Sequence, residues 1–222
     1  MGIITVEKSD NLYWLGRYME RAFTTIKTYI KGYDNMIDHD DEYYKVICEQ
    51  IGIPCIYASK DDFMYRYAFD ENDQNSIVGI LNHAYDNAII IRDTIGSDTL
   101  SYVQLAVYDL KRAKESDSPV IDLQLAIDHI LAFWGCVDDT IFDIKIRNII
   151  RVGKRSERLD LYLRFEYPVG ELRTELSKLD IVLNRSNIRY NRAVIDTLDT
   201  MFERDAVNYE SGCNLLSKLL QE

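Results

Sequence analysis

An all-α fold, a multi-helix bundle, is predicted by three observations. Apolar residues recur at three- and four-residue spacing through most of the chain, which is the period of a helix face. Only three prolines and ten glycines occur in 222 residues, and no Pro- or Gly-rich linker divides them. No stretch keeps the strict alternation of a half-buried strand. Ile51 to Tyr57 comes nearest, and Gly52 and Pro54 interrupt it. A chain of this length buries a substantial core, so one all-helical domain over 1–222 is the simplest organisation.

Each element follows from local signals. Ser9 or Asp10 reads as the N-cap of a first helix that reaches about Gly32 or Tyr33. The acidic run Asp38 to Glu42 reads as a helix N-terminus, where carboxylates favour the dipole. A metal loop is the sharper alternative, but the Gly hinge and downstream bidentate acid of an EF-hand do not follow. Tyr43 to Gln50 and Lys60 to Phe69 read as short helices, separated by a break at Gly52 to Pro54. Asp70 to Asn75 is turn-forming, and Asn75 or Ser76 caps a long helix through about Ile95. Gly96-Ser97-Asp98 stops it and starts the next, which runs to Lys114. A further helix begins near Val120 and heads towards Phe142, and another covers 148–166, with the join near Asp143 left open. Tyr167 to Gly170 is a break. Helices at Glu171 to Leu183, Asn191 to Arg204 and Ala206 to Leu220 complete the chain, with a polar loop at Asn184 to Tyr190.

The stretch Leu12 to Ile26, LYWLGRYMERAFTTI, is two-sided. At about 100° per residue, Leu12, Leu15, Met19, Ala22, Phe23 and Ile26 form one apolar stripe. Glu20 lies away from it among Tyr13, Arg17 and Arg21. Large aromatics on the polar face imply cover on both sides, so the charges need partners. A related stretch occurs at Val152 to Leu163, where Gly153, Lys154, Glu157 and Arg158 correspond to Gly16, Arg17, Glu20 and Arg21. The separation changes helical phase by only about 20°. Few positions are identical. The shared phase carries the inference of two pseudo-repeated halves, each with a Glu-Arg helix.

The net charge of −11 argues against a nucleic-acid backbone or an anionic membrane as the main partner. A local basic patch would be Arg147, Arg151, Lys154, Arg155 and Arg158, spread over several faces. Cys48, Cys55, Cys136 and Cys213 form no CxxC pair and read as reduced thiols, mostly core filler. The N-terminus lacks a signal-peptide pattern, and no apolar stretch approaches the ~20 residues of a membrane span. A cytoplasmic protein is the expectation.

Catalytic patterns do not emerge. None of His39, His83 and His129 follows a Glu at the di-iron spacing, and no His-x-x-x-His pair suits zinc. His83 and His129 sit on core-like helices as packing or capping groups. No Walker loop, GxGxxG or GxSxG occurs, so no cofactor, metal or catalytic residue is implied. The Arg and Glu set remains. It is either an ion-pair network locking helices together or a site gripping a carboxylate- or phosphate-bearing ligand with guanidinium forks. On residue chemistry alone the network leads, because buried Arg–Glu pairs are common structural devices.

The segment NLYWLGRYMERA at Asn11 to Ala22 resembles the opening motif of the bacterial Alpha-E domain family, which is helical and named for a Glu-Arg motif. Asn75 to Ile77 with His83 to Asp93, Arg151 to Arg164 and Asn184 to Asp199 extend the resemblance over almost the full chain. The family commonly has Asn-Ala-Arg where this chain has Asn87-Ala88-Ile89, while Arg92 matches. The family's genes neighbour those of ATP-grasp ligase-like and transglutaminase-like proteins. The resemblance therefore implies an accessory role in a peptide ligation or modification system and identifies no catalytic residue. A ligand-binding subunit or enzyme would draw on Tyr13, Arg17, Glu20, Arg21, Asn87, Arg92, Lys154, Glu157 and Arg158.

Overall fold

In the computed structural model, residues 4–204 and 207–220 are described. Among them the chain forms ten α-helices and no strand, which is the predicted all-α class. In order they are α1 Val6–Asp38, α2 Tyr43–Ile51, α3 Lys60–Phe69, α4 Ile77–Ile90 and α5 Arg92–Lys114, then α6 Pro119–Thr140, α7 Ile144–Arg164, α8 Val169–Ser186, α9 Arg192–Phe202 and α10 Tyr209–Leu216. They divide into two compact units, one of Met1–Arg17 with Asp143–Glu222 and one of Tyr18–Phe142. The chain leaves the first within α1 and returns after α6.

Short polar side chains set most helix starts. Ser59, Ser76, Asp143, Asn191 and Asn208 each accept a hydrogen bond from a first-turn amide, the N-cap role their chemistry favours. Asp143 resolves the open join: its Oδ1 accepts from Lys145 at 2.8 Å, so α6 and α7 are separate helices. Several boundaries differ from expectation. Thr5, rather than Ser9 or Asp10, caps α1, because its hydroxyl accepts from the Lys8 amide at 3.2 Å. The stop expected after Ile95 divides in two. α4 ends at Ile90, and Gly96 then breaks the helical backbone inside α5 with φ 81° and ψ 161°. The acidic run also divides. Asp38 ends α1, while Asp40 Oδ1 accepts from the Glu42 amide in the turn before α2. The polar loop expected from Asn184 begins later, because α8 continues to Ser186 and Asn187 closes it in the left-handed region. The expected last helix from Ala206 starts at Tyr209; position 206 itself lies outside the described residues.

The core of the second unit has an aromatic centre. Phe63 is fully buried and stacks on Tyr67 at 5.0 Å and on Tyr44 at 5.7 Å, with Tyr57 edge-on at 5.0 Å. Tyr29 of α1 reaches the same cluster, and its hydroxyl donates to the Met64 carbonyl at 2.7 Å. Beside it α5 and α6 form an antiparallel hairpin, in which the Thr99 hydroxyl meets that of Thr140 and Asp109 meets His129. By length and composition α6 could cross a membrane, which corrects the expectation that no stretch comes near that length. Its Leu123, Ala126, Ile130, Phe133 and Val137 are nonetheless buried along one stripe. In the first unit α7 is buried on several sides, and Val152, Leu159 and Leu163 pack with Leu172, Leu176 and Leu179 of α8 and with Leu198 and Phe202 of α9.

Two measurements check this core. Phe63→Ala empties the aromatic centre and should destabilise the fold by about 3–5 kcal/mol in denaturant unfolding. Burial raises the phenols of Tyr29, Tyr57 and Tyr67 above their ordinary value, and it pushes the Cys213 thiol up to about 11. A raised acid favours the neutral form in the folded state. Its contribution is complete below the unfolded value and is lost as pH rises through the folded one. The melting temperature should therefore hold to about pH 9 and fall beyond it, through the ordinary tyrosine value near 10. A flat profile to pH 12 would contradict the burial of these groups.

Candidate functional site

Two glycines decide how closely α1 meets α7. A Cβ on Gly16 would collide with the Ile150 carbonyl oxygen and crowd the Lys154 amide at 3.1 Å. A Cβ on Gly153 would collide with the Tyr13 carbonyl oxygen and crowd the Arg17 amide at 2.9 Å. The contacts are reciprocal: each glycine faces the backbone three residues before, and one residue after, the other. The backbones of α1 and α7 therefore cross at a distance that only glycine on both sides permits. Both glycines belong to the first unit, as do Tyr13, Arg17, Lys154, Glu157 and Arg158.

At the crossing, Arg17 closes on Glu157, one turn beyond Gly153. Its Nε donates to Oε2 at 2.6 Å, and Nη2 lies 2.5 Å from the same oxygen. The Glu157 side chain is 1% exposed and that of Arg17 is 22% exposed. Burial alone would pull the guanidinium down. The Glu157 carboxylate, with Tyr13 and Asp160 behind it, outweighs burial and holds Arg17 above its ordinary value. The guanidinium also lies 5.1 Å from the Trp14 ring and 5.9 Å from that of Tyr13, within cation–π range. Tyr13 is itself raised, first by burial, while Arg17 and Ser156 act in the opposite direction.

Among the described residues of the first unit this is one of three buried carboxylates. Glu175 of α8 accepts from Arg155 Nη1 at 2.6 Å and lies 3.4 Å from Lys178. Asp160 accepts from Arg164 Nε at 2.8 Å. Each acid is held by an arginine that keeps part of its side chain in solvent, the arrangement that limits the desolvation penalty of burying a charge. Asp160 and Arg164 stand at helical i, i+4 spacing, a signal present in the sequence but not among the residues first singled out. The pairing of Arg155 with Glu175 spans two helices and has no local signal.

The other candidates are placed as follows. Glu20 is fully buried, and Arg21, half-buried, lies within electrostatic reach of the Tyr67 phenol. Asn87 is half-buried and donates to the His83 carbonyl one turn back at 2.8 Å. Arg92 is exposed, and its Nη2 donates to Ser97 Oγ at 3.2 Å. These four belong to the second unit. Arg158 lies within reach of the Tyr162 phenol, and Lys154 is half-buried. His83 stacks on Tyr18 at 5.3 Å, and the Nδ1 of His129 lies 2.5 Å from the buried Asp109 carboxylate, a hydrogen-bonded pair. Among the described residues no three His, Cys, Asp or Glu side chains converge as metal ligands. The arrangement in the first unit thus neutralises buried carboxylates with arginines of the same helix or of a neighbouring one.

The family model of Alpha-E, described as a predicted alpha-helical domain with a conserved ER motif, matches residues 8–185. No curated protein and no solved structure matches the chain.

Glycine-to-alanine exchange in a helix ordinarily stabilises by about 1 kcal/mol. At Gly153 the sign should reverse. The added methyl strikes the Tyr13 carbonyl, and Gly153→Ala should destabilise by about 3 kcal/mol, the upper end of overpacking. The same exchange at exposed Gly135, where a Cβ meets nothing within 4 Å, serves as the control and should be neutral or stabilising. Equal behaviour of the two variants in thermal unfolding would contradict the close crossing.

Proposed function

The chain belongs to the Alpha-E family, and from that premise we propose that it is a non-catalytic accessory or scaffold subunit in a peptide ligation or modification system. Its partner is an ATP-grasp-type ligase or a transglutaminase-like protein, and its setting is the bacterial cytoplasm. The observation that carries this reading is the closure of Arg17 on Glu157. A guanidinium whose Nε and Nη2 both engage one buried carboxylate oxygen has its fork committed within the protein. The Glu-Arg motif then acts as a helix lock that holds a rigid helical surface for a partner. The buried pairs Arg155–Glu175 and Arg164–Asp160 support the same reading.

The test combines stability with binding. Glu157→Gln leaves Arg17 without its charge partner and should destabilise the fold by about 3–5 kcal/mol. Affinity-tagged chain, expressed with a ligase of the ATP-grasp type, should retain that ligase through size-exclusion chromatography. Recovery of a lone monomer with either candidate partner would overturn the scaffold reading. A carboxylate- or phosphate-bearing peptide that raises the melting temperature of the native chain, and fails to do so with Glu20→Gln of native stability, would establish a ligand-binding subunit instead.

A further inference from the structure

The α5–α6 hairpin exposes apolar side chains along one of its faces. Two contacts fix its register: the Thr99 hydroxyl meets that of Thr140, and His129 Nδ1 lies 2.5 Å from Asp109 Oδ2. At the second contact the Tyr102 ring lies 6.2 Å from the imidazole. Asp109 has Tyr108 beside it and Leu105 one turn back, while His129 has Leu125 and Ile121 one and two turns back. These four apolar side chains therefore follow one another along the same side of the hairpin. All four are exposed, Ile121 to 73% and Tyr108 to 60%. α6 is apolar enough to cross a membrane, yet only 39% of that apolar stretch is buried.

The charge around this face is mostly negative. α6 carries Asp122, Asp128, Asp138 and Asp139 and no lysine or arginine. Asp122 and Asp128 stand three residues to either side of Leu125, as its neighbours on the helix surface. Of the cations at the end of α5, Lys111 pairs with Glu71 and Lys114 lies over the Tyr65 ring, which leaves Arg112. The whole unit is biased the same way. Tyr18–Phe142 holds 22 of the chain's 37 acidic residues and 10 of its 26 basic ones. Charge of that sign opposes a second copy docked face to face and an anionic membrane, and it favours a basic occupant. The groove between two helices accepts a third helix.

We propose that this face is the docking site for a basic amphipathic helix of a partner protein. Its apolar side covers Leu105, Tyr108, Ile121 and Leu125, and its lysines or arginines meet Asp122 and Asp128. The proposal rests on the scaffold reading and gives it a surface. Burial of the apolar side chains supplies the affinity, while the carboxylates steer the approach and set the orientation. The bond from His129 to Asp109 ties the two helices together in the middle of the face, so the surface is formed before a partner arrives.

The experiment uses the full chain and two synthetic amphipathic helices with the same leucine side, one with lysine on its polar side and one with glutamate. Fluorescence anisotropy should show binding of the lysine helix that weakens as salt is added, and much weaker binding of the glutamate helix. Ile121→Ser combined with Leu125→Ser should weaken binding of the lysine helix by about tenfold or more. Both positions are exposed, so the melting temperature should hold. Ile37→Ser, an exposed apolar exchange on α1, is the control and should bind as the native chain does. The proposal is overturned if the double variant binds as tightly as the native chain, if the two helices bind alike, or if neither binds. It is equally overturned if the native chain is a dimer that the double variant breaks, or if neutral lipid vesicles capture the native chain and not the variant. Retention of an ATP-grasp-type ligase by native chain and double variant alike would remove this surface and leave the scaffold reading standing. Binding of the lysine helix through this face by a chain that retains no ligase would do the reverse.

Discussion

Where α1 crosses α7, the helix backbones approach until Gly16 faces the Ile150 carbonyl and Gly153 faces that of Tyr13. Any side chain at either position would push the helices apart. The separation matters because the next turn carries charge. Arg17 reaches Glu157 with two nitrogens on one oxygen only when its backbone is this close. A carboxylate 1% exposed has no water to fall back on, so losing that reach would leave it buried and unpaired. The small residue and the charged residues are thus parts of one device. The glycine sets the distance, and the pair makes that distance tolerable.

The same logic extends along α7. A helix buried on most sides has little polar face to turn towards water, yet this one carries Glu157 and Asp160 inside. Each is met by an arginine whose stem crosses apolar surface while part of its head stays wet. Glu175 on α8 is held by Arg155 in the same way. Apolar packing of Leu159, Leu163, Leu172 and Leu176 supplies the bulk of the burial. The ion pairs add direction, because a buried acid accepts only the helix register that brings its arginine. The second unit solves its core differently. Phe63 and its ring of tyrosines fill volume with aromatic faces, and the Tyr29 hydroxyl satisfies itself on the Met64 carbonyl.

The all-α class and most helix positions were legible because they rest on local signals, namely periodic apolar residues, Ser, Asp and Asn caps, and breaks at Gly52 and Gly96. The misplaced boundaries are those where a competing local group prevailed. Thr5 captured the Lys8 amide ahead of Ser9, and α8 ran past Asn184 until Asn187 turned left-handed. Within the site, Tyr13, Arg17 and Glu157 were named from residue type and phase, and they meet. Asp160 with Arg164 carried an i, i+4 signal. Glu175 did not, since its partner Arg155 lies on another helix and no spacing links them.

By itself the sequence determined the helices, the polar face of the opening segment and the need of its charges for partners. All of these follow from neighbours within a turn or two. Only the tertiary structure decided which charge meets which. It set Arg17 on Glu157 and Arg155 on Glu175. Such pairings depend on how closely two backbones pass, and that distance is fixed by contacts between residues far apart along the chain.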